Sequence, residues 1–500
     1  MLKKIVAILY FALSITCLSA QTIKQPNIIL FLVDDMGWMD SAVPFGDSLN
    51  ALNKLFTTPN MELLAHEGVK FTNAYATPVC TPTRTSILTG MNATRHGVTN
   101  WTSPVKNNST DAKDDQFSGA NWNINGVNID SITTYPQLLK QSGYYTIHVG
   151  KAHWGPAGTP LSNPLNLGYM VNIAGHAAGH PQSYYGEENY GNIPNKTSYQ
   201  AVPDLSNYHG TNTNLTEALT LEAIKSLEAP IRLKIPFYLN MAHYAVHVPI
   251  QPDLRFYQSY LDKGLDTANA KYASMVASMD KSLGDIMKFL TAKNIANNTI
   301  IIFMSDNGGL SLSGARGSKS HVQNLPLRAG KGSLYEGGIR VPMIVKWPKI
   351  VKPNTKNNQY IIAEDFFPSI LEMAGLSHTT TLQKVDGKSF VPYLKNQNLT
   401  DSNRYLIWHY PNKWIDTDGP AINYTSAVRK GNWKLIYNLR NGHTSLYNLA
   451  KDLGEYNDIS KTYPLITKQL TQYLKQTLEK NNSPMPIYKS NSKKVEIVVD

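Results

Sequence analysis

Acidic and amide side chains follow two apolar segments of the chain where those segments end. Asp34-Asp35 comes directly after Ile28–Val33, and Asp306-Asn307 comes just after Ile300–Met304. Adjacent Asp residues before glycine also form ordinary solvated turns, which is the alternative interpretation. Without a cation, three close carboxylates would raise one another's pKa values, whereas three carboxylates and one amide oxygen suit calcium or magnesium better than zinc. The pattern predicts a metal site formed by Asp34, Asp35, Asp306 and Asn307.

Cys80 is the second residue with chemical potential, and it lies in the segment Val79–Gly90. Pro82 suits the first turn of an α-helix, so we expect Cys80 at a helix N-terminus. The helix dipole and the guanidinium of Arg84, one turn further on, both favour negative charge at that position. The alternative is a small buried apolar residue, which is the usual environment of a free cysteine.

Several short apolar runs end abruptly in polar or glycine residues, as strands buried on both faces of a parallel sheet do. Five such runs are Ile28–Val33, Tyr145–Val149, Pro236–Met241, Ile300–Met304 and Met343–Val345. Helical periodicity lies between them, at Tyr135–Gln141 and Tyr272–Leu290. The alternation predicts a large, mainly parallel, doubly wound α/β sheet flanked by helices. Such sheets bind ligands at the carboxyl ends of their strands, where both acidic clusters fall.

The pattern changes near residue 395, where an α+β unit is predicted to begin. Its expected strands are Tyr405–Trp408, Ser426–Arg429 and Trp433–Tyr437, followed by a helix over Pro464–Leu478. We therefore expect a signal segment at 1–20, a catalytic domain at 21–395 and a smaller C-terminal subdomain at 396–500.

The segment Met1–Ala20 has the pattern of a secretory signal peptide, with two lysines before an apolar stretch. The stretch is shorter than the ~20 residues that span a bilayer, and no other segment is predicted to span one. We expect a periplasmic or secreted protein. Lipid attachment through Cys17 is less favoured, because Thr16 is a poor residue before such a site. Removal of the segment leaves Cys80 alone and lowers the formal net charge from +11 to +9.

The motif Cys80-x-Pro82-x-Arg84, followed by Leu88-Thr89-Gly90, resembles the signature of the formylglycine-dependent sulfatases of the alkaline-phosphatase-like superfamily. Further family motifs occur in family order through most of the chain. They are Asp34-Asp35-x-Gly37, Gly150-Lys151-Ala152-His153, His247-Val248-Pro249, Asp306-Asn307-Gly308, Gly330-Lys331-Gly332, Arg429-Lys430-Gly431-Asn432-Trp433-Lys434-Leu435 and Leu446-Tyr447-Asn448-Leu449. Ala152, where many members have tryptophan, and Val246, where proline is frequent, depart from the pattern.

The resemblance implies that a formylglycine-generating enzyme oxidises Cys80 to formylglycine, whose hydrate attacks sulfur and then collapses to release sulfate. One calcium ion would be held by Asp34, Asp35, Asp306, Asn307 and the modified Cys80. Arg84 would hold the hydrate, Lys151 and Lys331 the sulfate oxygens, His153 would be the base, and His247 with Lys331 would protonate the leaving oxygen. Taken singly, these lysines and histidines could be solvated or structural residues. His243 has no family counterpart; a structural role is favoured, with a place in the pocket as the alternative.

Three other functions compete with sulfate ester hydrolysis. A phosphatase or phosphodiesterase of the same superfamily would use two zinc ions and a Ser or Thr nucleophile, and the ligand set found here lacks the several histidines that paired zinc needs. A non-catalytic binder of sulfated glycans would lack at least one chemical residue, and none is missing. A nucleic-acid binder, suggested by a pI near 9.2, would need a basic stripe or a binding motif. The positive charge instead suits an anionic sulfated substrate, although it could serve solubility alone.

The substrate is expected to be a sulfated oligo- or polysaccharide, with an algal glycan such as ulvan as the working hypothesis. Long polar stretches at Thr99–Ser131 and Gly155–Thr216 are expected to be ordered functional loops. Their aromatic residues would either stack on sugar rings or pack against the domain; these are Trp101, Trp122, Tyr184, Tyr185 and Tyr190. The segment His409–Asn412 is expected to border the same cleft.

Overall fold

The computed structural model describes residues 25–51, 53–107, 114–310, 324–414, 419 and 421–499. The predicted signal peptide and Cys17 lie outside these residues. Within the described ranges, the structure contains no helix that is both long enough and apolar enough to cross a membrane.

An eight-stranded sheet forms the centre of the molecule, with the order β10-β2-β9-β8-β1-β7-β5-β6. The sixteen strands of the described residues, in chain order, are β1 (Asn27–Val33), β2 (Val69–Phe71), β3 (Ala74–Tyr75), β4 (Phe117–Ala120), β5 (Tyr145–Gly150), β6 (Val171–Ile173), β7 (Phe237–Ala242), β8 (Thr299–Ser305), β9 (Met343–Lys346), β10 (Thr355–Asn357), β11 (Ile361–Ile362), β12 (Tyr405–Tyr410), β13 (Thr425–Lys430), β14 (Trp433–Asn438), β15 (Thr444–Asn448) and β16 (Pro486–Tyr488). Strand β1 pairs in parallel with β7 and β8, and β5 pairs in parallel with β6 and β7. The predicted mainly parallel α/β sheet is confirmed.

Helices cover both faces of this sheet. The helices of the described residues are α1 (Pro59–Glu67), α2 (Cys80–Thr89), α3 (Ala93–His96), α4 (Tyr135–Gln141), α5 (Leu215–Leu233), α6 (Leu254–Asp262), α7 (Thr267–Ala292), α8 (Glu336–Ile339), α9 (Phe366–Met373), α10 (Val391–Lys395) and α11 (Pro464–Lys480). Alternate residues of β1 enter two cores: Phe31 packs in the core with α1, α5 and α7, and Leu30 in the core with α2, α4 and α9. Burial on both faces explains why β1 is continuously apolar.

A four-stranded antiparallel sheet, in the order β12-β13-β14-β15, forms the smaller C-terminal unit. Leu470, Leu474 and Leu478 of α11 pack against its Leu435 and Tyr437. Strands β16 and β4 pair, so the C-terminal part of the chain contacts the first long polar stretch, Thr99–Ser131. The predicted antiparallel strands and helix are present, whereas the domain boundary at 395/396 stays a prediction.

The observed elements differ from the sequence-based expectation in several respects. Strand β9, predicted as one of the parallel strands, runs antiparallel to both β8 and β2. A buried apolar run has no direction of its own, because direction depends on the connection that precedes the strand. The stretch Gly155–Thr216 adds edge strand β6 to the sheet, and helix α5 was not predicted at all.

Candidate active site

Helix α2 begins at Cys80, as predicted, and ends at Gly90, which has the left-handed φ of 70°. All of its residues are buried, so its polar side chains need partners inside the protein. Arg84, one turn after Cys80, donates from Nε to Oδ2 of Asp306 at 2.9 Å and from Nη1 to the carbonyl oxygen of Lys151 at 2.8 Å. The helix thus places the cysteine beside the loops that follow β5 and β8.

The two acidic clusters lie side by side because β1 and β8 are adjacent parallel strands, with Val33 opposite Ser305. Nδ2 of Asn307 donates to Oδ1 of Asp35 at 2.7 Å, and the backbone N–H of Asp35 points to Oδ1 of Asp306 at 3.3 Å. Asp35 has a φ of 59°, a strained conformation for a residue with a side chain and one found often at functional sites.

Three buried oxygens of this acidic cluster lack a hydrogen-bond donor among the described residues: Oδ1 of Asp34, Oδ2 of Asp35 and Oδ1 of Asn307. Buried polar atoms without partners are costly, and oxygen atoms of this kind are the preferred ligands of hard cations. The predicted set of metal ligands therefore fits a calcium ion. His247 is also close to this cluster, since its Nε2 lies 3.5 Å from Oδ2 of Asp35. Potential ligand atoms of Asp34, Asp35 and His247 all lie within 4.8 Å of one another.

Two lysines neutralise the first acidic pair. Nζ of Lys151, at the end of β5, lies 2.5 Å from Oδ2 of Asp34, and Nζ of Lys331 lies 2.7 Å from Oδ1 of Asp35. Together with Arg84 these lysines match the three carboxylates charge for charge. A divalent cation added to the site would leave it positive, which favours an anionic ligand beside it.

The pKa values of the Asp34 and Asp35 carboxyl groups are shifted in opposite directions. Burial and the nearby Asp306 carboxylate raise the pKa of Asp34 well above its usual value, as predicted for close carboxylates. Burial would also raise the pKa of Asp35, but His247 and the ammonium groups of Lys331 and Lys151 together hold it below its ordinary value. A bound cation would favour the ionised form of both groups.

His153 contacts the cysteine directly. Its Nε2 lies 2.9 Å from the carbonyl oxygen of Thr102, which can only accept, so Nε2 carries the proton. Nδ1 is then the unprotonated nitrogen, 3.3 Å from Sγ of Cys80 and 3.3 Å from Oγ1 of Thr81. Burial and the charge of Lys151 lower the pKa of His153 well below its usual value. The ring is therefore a neutral base aimed at residue 80.

His247 and Lys331 form a second pair on the other side of the site, with Nζ of Lys331 2.9 Å from Nε2 of His247. An ammonium group only donates, so Nε2 accepts, and Nδ1 of His247 donates to the carbonyl oxygen of Val248 at 3.1 Å. Burial lowers the pKa of His247 well below its usual range, while Asp35 raises the pKa of Lys331 against the opposing effect of burial. The proton between Nζ of Lys331 and Nε2 of His247 therefore resides on Lys331.

Burial raises the pKa of the Cys80 thiol. The ammonium groups of Lys151 and Lys331 act to lower this pKa, and the carboxylates of Asp34 and Asp306 offset part of that lowering. The expected stabilisation of negative charge at the helix N-terminus therefore does not produce a thiolate. An unmodified Cys80 would be a weak nucleophile, since the thiolate is the reactive form.

A cavity of about 470 Å³ opens onto these residues. It is lined by Cys80, Trp101, Thr102, Ser103, Pro104, Val105, His153, Gly179, His180, Tyr199, Gln200, His247, Lys331 and Trp414. The lining combines indole, phenol, amide and hydroxyl groups with the ammonium group of Lys331. This combination suits a polar anionic ligand with apolar ring faces. Lys151 and Arg84 are buried and are not among the residues that line the cavity.

Few of the aromatic residues considered as sugar platforms reach the cavity. Trp101 lines it, whereas Trp122, Tyr184 and Tyr190 are buried in the protein, and the hydroxyl of Tyr185 donates to the carbonyl oxygen of Pro252. Most of these residues therefore follow the packing alternative.

The segment His409–Asn412 does not line the cavity, contrary to expectation. His409 is buried between Ser426 and the carbonyl oxygen of Pro484, within the C-terminal unit. His243 is also a structural residue, as expected: its Nε2 lies 2.8 Å from Oγ of Ser282, and burial lowers its pKa to about 3.

Several residues of the site were not found from the sequence. The carbonyl of Thr102 orients His153, the ring of His180 stacks on that of His247 at 5.6 Å, and Tyr199 and Trp414 line the cavity. These residues lie in loops without a local pattern, so their sequence contains no signal that separates them from surface residues.

The fold and the site together combine a mainly parallel α/β sheet with a buried cluster of carboxylates, lysines and histidines at the carboxyl ends of its strands. Residues 26–376 match the family described as Sulfatase, and residues 330–483 match the N-sulphoglucosamine sulphohydrolase C-terminal family. The chain belongs to the sulfatase family and is a sulfuric ester hydrolase.

Similar proteins extend over nearly the whole chain. A protein named sulfatase from Formosa agariphila is 30% identical, with 99% of this chain and 97% of that protein covered. The N-acetylgalactosamine-6-O-sulfatase of Bacteroides thetaiotaomicron is 28% identical, with 91% and 94% covered. The crystal structure of Ps i-CgsB in complex with k-i-k-neocarrahexaose is 26% identical and has a TM-score of 0.73, with 92% of this chain and 94% of that chain covered. The similarity thus includes both the catalytic sheet and the C-terminal unit.

Proposed function

We propose that the chain hydrolyses sulfate monoesters on a carbohydrate, with a formylglycine made from Cys80 as nucleophile and one calcium ion as cofactor. The observation that carries the proposal is the unprotonated Nδ1 of His153, 3.3 Å from Sγ of Cys80, beside a buried cluster of oxygen atoms without hydrogen-bond donors. This arrangement combines a base, a modifiable residue and a site for a cation at the end of one cavity.

The conversion of Cys80 by a formylglycine-generating enzyme would solve the problem of the weak thiol. A formylglycine hydrate would supply two hydroxyl groups on one carbon. One would attack sulfur and displace the alcohol; loss of the proton from the other would then form the aldehyde C=O and break the C–O bond to sulfate, and water would restore the hydrate. His153 is placed to accept the proton that this second step releases. Arg84 lies one turn away on the same helix and would orient the modified side chain.

Asp34, Asp35, Asp306 and Asn307 would hold the calcium ion, together with an oxygen of the modified Cys80. Calcium would neutralise the sulfonyl oxygens of the substrate. Its competition for Asp34 and Asp35 would leave the ammonium groups of Lys151 and Lys331 to hold the remaining sulfate oxygens.

The leaving alcohol of a sugar sulfate requires a proton, because an alkoxide is a poor leaving group. Lys331 and His247 hold a proton between them, 2.9 Å apart, at the wall of the same cavity. We assign to this pair the protonation of the leaving oxygen, opposite His153. The assignment leaves His247 outside the calcium ligands, since its Nε2 accepts from Lys331.

The carbohydrate substrate is inferred from the cavity and from the relatives together. Trp101, Tyr199 and Trp414 offer flat apolar faces, and His180 and Gln200 offer polar groups between them. Relatives are named for N-acetylgalactosamine 6-sulfate, and the neighbouring structure contains k-i-k-neocarrahexaose. A sulfated glycan of algal or animal origin fits these observations, and ulvan stays the working hypothesis within that class. We also propose an exported, periplasmic or secreted protein.

Release of inorganic sulfate from defined oligosaccharides tests this proposal. The chain is coexpressed with a formylglycine-generating enzyme and assayed on N-acetylgalactosamine 6-sulfate, carrageenan oligosaccharides and ulvan oligosaccharides. Mass spectrometry of the peptide Thr77–Arg84 should show an aldehyde or its hydrate, and Cys80→Ala should abolish sulfate release without loss of folding. Activity on phosphate esters alone would support the phosphatase alternative and overturn the proposal.

A further inference from the structure

Lys331 and the metal-site loop both pack on the short helix α8, which contains Glu336. The backbone N–H of Gly308 donates to the carbonyl oxygen of Gly338 at 3.0 Å. A Cβ atom at Gly308 would lie only 1.8 Å from the carbonyl oxygen of Gly337. The loop that follows Asn307 therefore packs against the backbone of α8 with no room for a side chain at Gly308. On the other side, the backbone N–H of Gly337 in α8 donates to the carbonyl oxygen of Arg328 at 3.0 Å, and a Cβ atom at Gly338 would lie 2.5 Å from the carbonyl oxygen of Gly330, next to Lys331. A shift of α8 would therefore move both Lys331 and the loop of Asn307.

Glu336 is bound by cations of the C-terminal sheet. Nζ of Lys434 lies 2.8 Å from Oε1 of Glu336 and 2.8 Å from Oε1 of Glu455, and all three side chains are fully buried. The backbone N–H of Glu336 donates to Oε2 of Glu455 at 2.6 Å. Arg429 lies 3.8 Å from Oε2 of Glu336 and contacts the hydroxyl of Tyr75. We call Glu336, Arg429, Lys434 and Glu455 the anchor cluster.

The anchor cluster accounts for two charged residues of the motif Arg429–Leu435, Arg429 and Lys434, which the proposed chemistry leaves unused. Strands β13 and β14 pair with Arg429 opposite Lys434, so both cations extend from one place on the sheet. Burial opposes ionisation of Glu336, but Lys434, Arg429 and Arg340 hold its pKa at about 2. Because removal of Lys434 would leave a buried carboxylate without its nearest cation, the contact couples the position of α8 to that of the C-terminal sheet.

We propose that the anchor cluster positions Lys331 against His247 and Asp35, so that the C-terminal sheet is part of the machinery that protonates the leaving oxygen. The inference rests on the proposed function, because it requires Lys331 and His247 to act on the leaving alcohol. Lys434 and Glu336 are positioning residues and do not touch the substrate. A misplacement near 1 Å of a catalytic group is enough to lower a rate by about 100-fold.

Lys434→Met tests the inference, since it removes the ammonium and keeps most of the apolar stem. The readout is the ratio of kcat for a sulfated sugar to kcat for 4-nitrophenyl sulfate, whose phenolate leaves without a proton. We expect this ratio to fall by roughly tenfold or more, because only the sugar depends on protonation by the Lys331–His247 pair. Inhibition by inorganic sulfate should weaken as well, since Lys331 would no longer lie at its place in the cavity.

Asp280→Asn is the control for a loss of stability alone. Asp280 is buried and accepts the backbone N–H groups of Asn60 and Met61 at the start of α1. This variant should unfold at lower temperature with the ratio of the two kcat values unchanged. Glu455→Gln, which keeps the side-chain volume, serves as the second test variant if Lys434→Met does not fold, and it should shift the ratio in the same direction.

Equal losses on both substrates in the two anchor variants, or no loss, would overturn the inference. Failure of the proposed function has a different signature, because the unsubstituted protein would then release no sulfate from either substrate.

Discussion

Nδ1 of His153 lies 3.3 Å from Sγ of Cys80, with its lone pair turned to the cysteine because the other ring nitrogen donates to Thr102. The φ of His153 is 56°, so the backbone adopts a strained conformation to hold the ring there. A neutral base at this distance can accept a proton from the side chain of residue 80. In the proposed reaction, His153 accepts this proton in the second step, the release of sulfate.

His153→Ala should therefore slow the release of sulfate more than the release of the alcohol. We expect steady-state turnover to fall by roughly 10²- to 10⁴-fold, while the first equivalent of alcohol still appears as a burst. Rapid-quench measurements of alcohol, and the mass of the peptide containing residue 80, would record one sulfonyl group retained per chain. His409→Ala, at a buried histidine outside the cavity, is the matched control. A uniform slowing without a burst would assign His153 another role.

Calcium should stabilise the folded chain measurably. Binding at 100 times the dissociation constant adds about 2.7 kcal/mol to the free energy of unfolding, so the Tm should fall on treatment with a chelator and recover with calcium. Asn307→Ala removes one ligand oxygen and should reduce this calcium-dependent shift of the Tm. Asn357→Ala, at a buried asparagine that binds the carbonyl oxygen of Tyr393, should lower the Tm and keep the shift. An unchanged shift in Asn307→Ala would contradict the assigned ligand set.

Tyr199 should contribute to binding of the sugar beyond the sulfate. Its side chain lines the cavity and is 64% exposed, so it is available to stack on a sugar ring. Loss of one aromatic contact of about 0.5–1.5 kcal/mol predicts a KM for oligosaccharides raised by roughly 2- to 10-fold in Tyr199→Ala, with kcat nearly unchanged. Tyr456 is 65% exposed and lies outside the cavity, so Tyr456→Ala is the matched control. Equal KM values in both variants would remove Tyr199 from the binding site.

Glu364 should make the protein less stable as the pH rises. Burial and the Asp365 carboxylate raise the pKa of Glu364 to about 8, from an ordinary value of 4.5. A carboxyl group with a raised folded-state pKa contributes its full stability below about pH 4.5 and loses it as the pH rises through 8. The loss amounts to about 1.4 kcal/mol per pH unit within that window.

Glu364→Gln should therefore flatten the dependence of stability on pH, because the amide stays neutral. Urea denaturation at pH 5, 6.5 and 8 measures the slope. The exposed residue Glu479 offers the control Glu479→Gln, which should retain the slope of the unsubstituted chain. Parallel slopes for Glu364→Gln and the control would contradict the raised pKa.

Much of the scaffold could be predicted because its signals are local. The continuous apolar run of β1 reflects burial on both faces of the sheet, the apolar positions of α7 repeat with helical periodicity, and both elements are found where expected. The direction of β9 and the addition of β6 could not be predicted, since pairing depends on neighbours far away in the sequence. The same limit explains why Tyr199 and Trp414 were missed.

The sequence alone determined which chemical groups are available: the carboxylates after two strands, one cysteine before a helix, and lysines and histidines beside glycines. Only the tertiary structure decided how those groups act. The register of β1 with β8 joins the two acidic clusters, the carbonyl of Thr102 selects the nitrogen of His153 that faces Cys80, and Lys434 reaches Glu336 from another sheet. Charge, proton position and access to the cavity depend on contacts between segments 51 to 272 residues apart in the sequence, which no local pattern encodes.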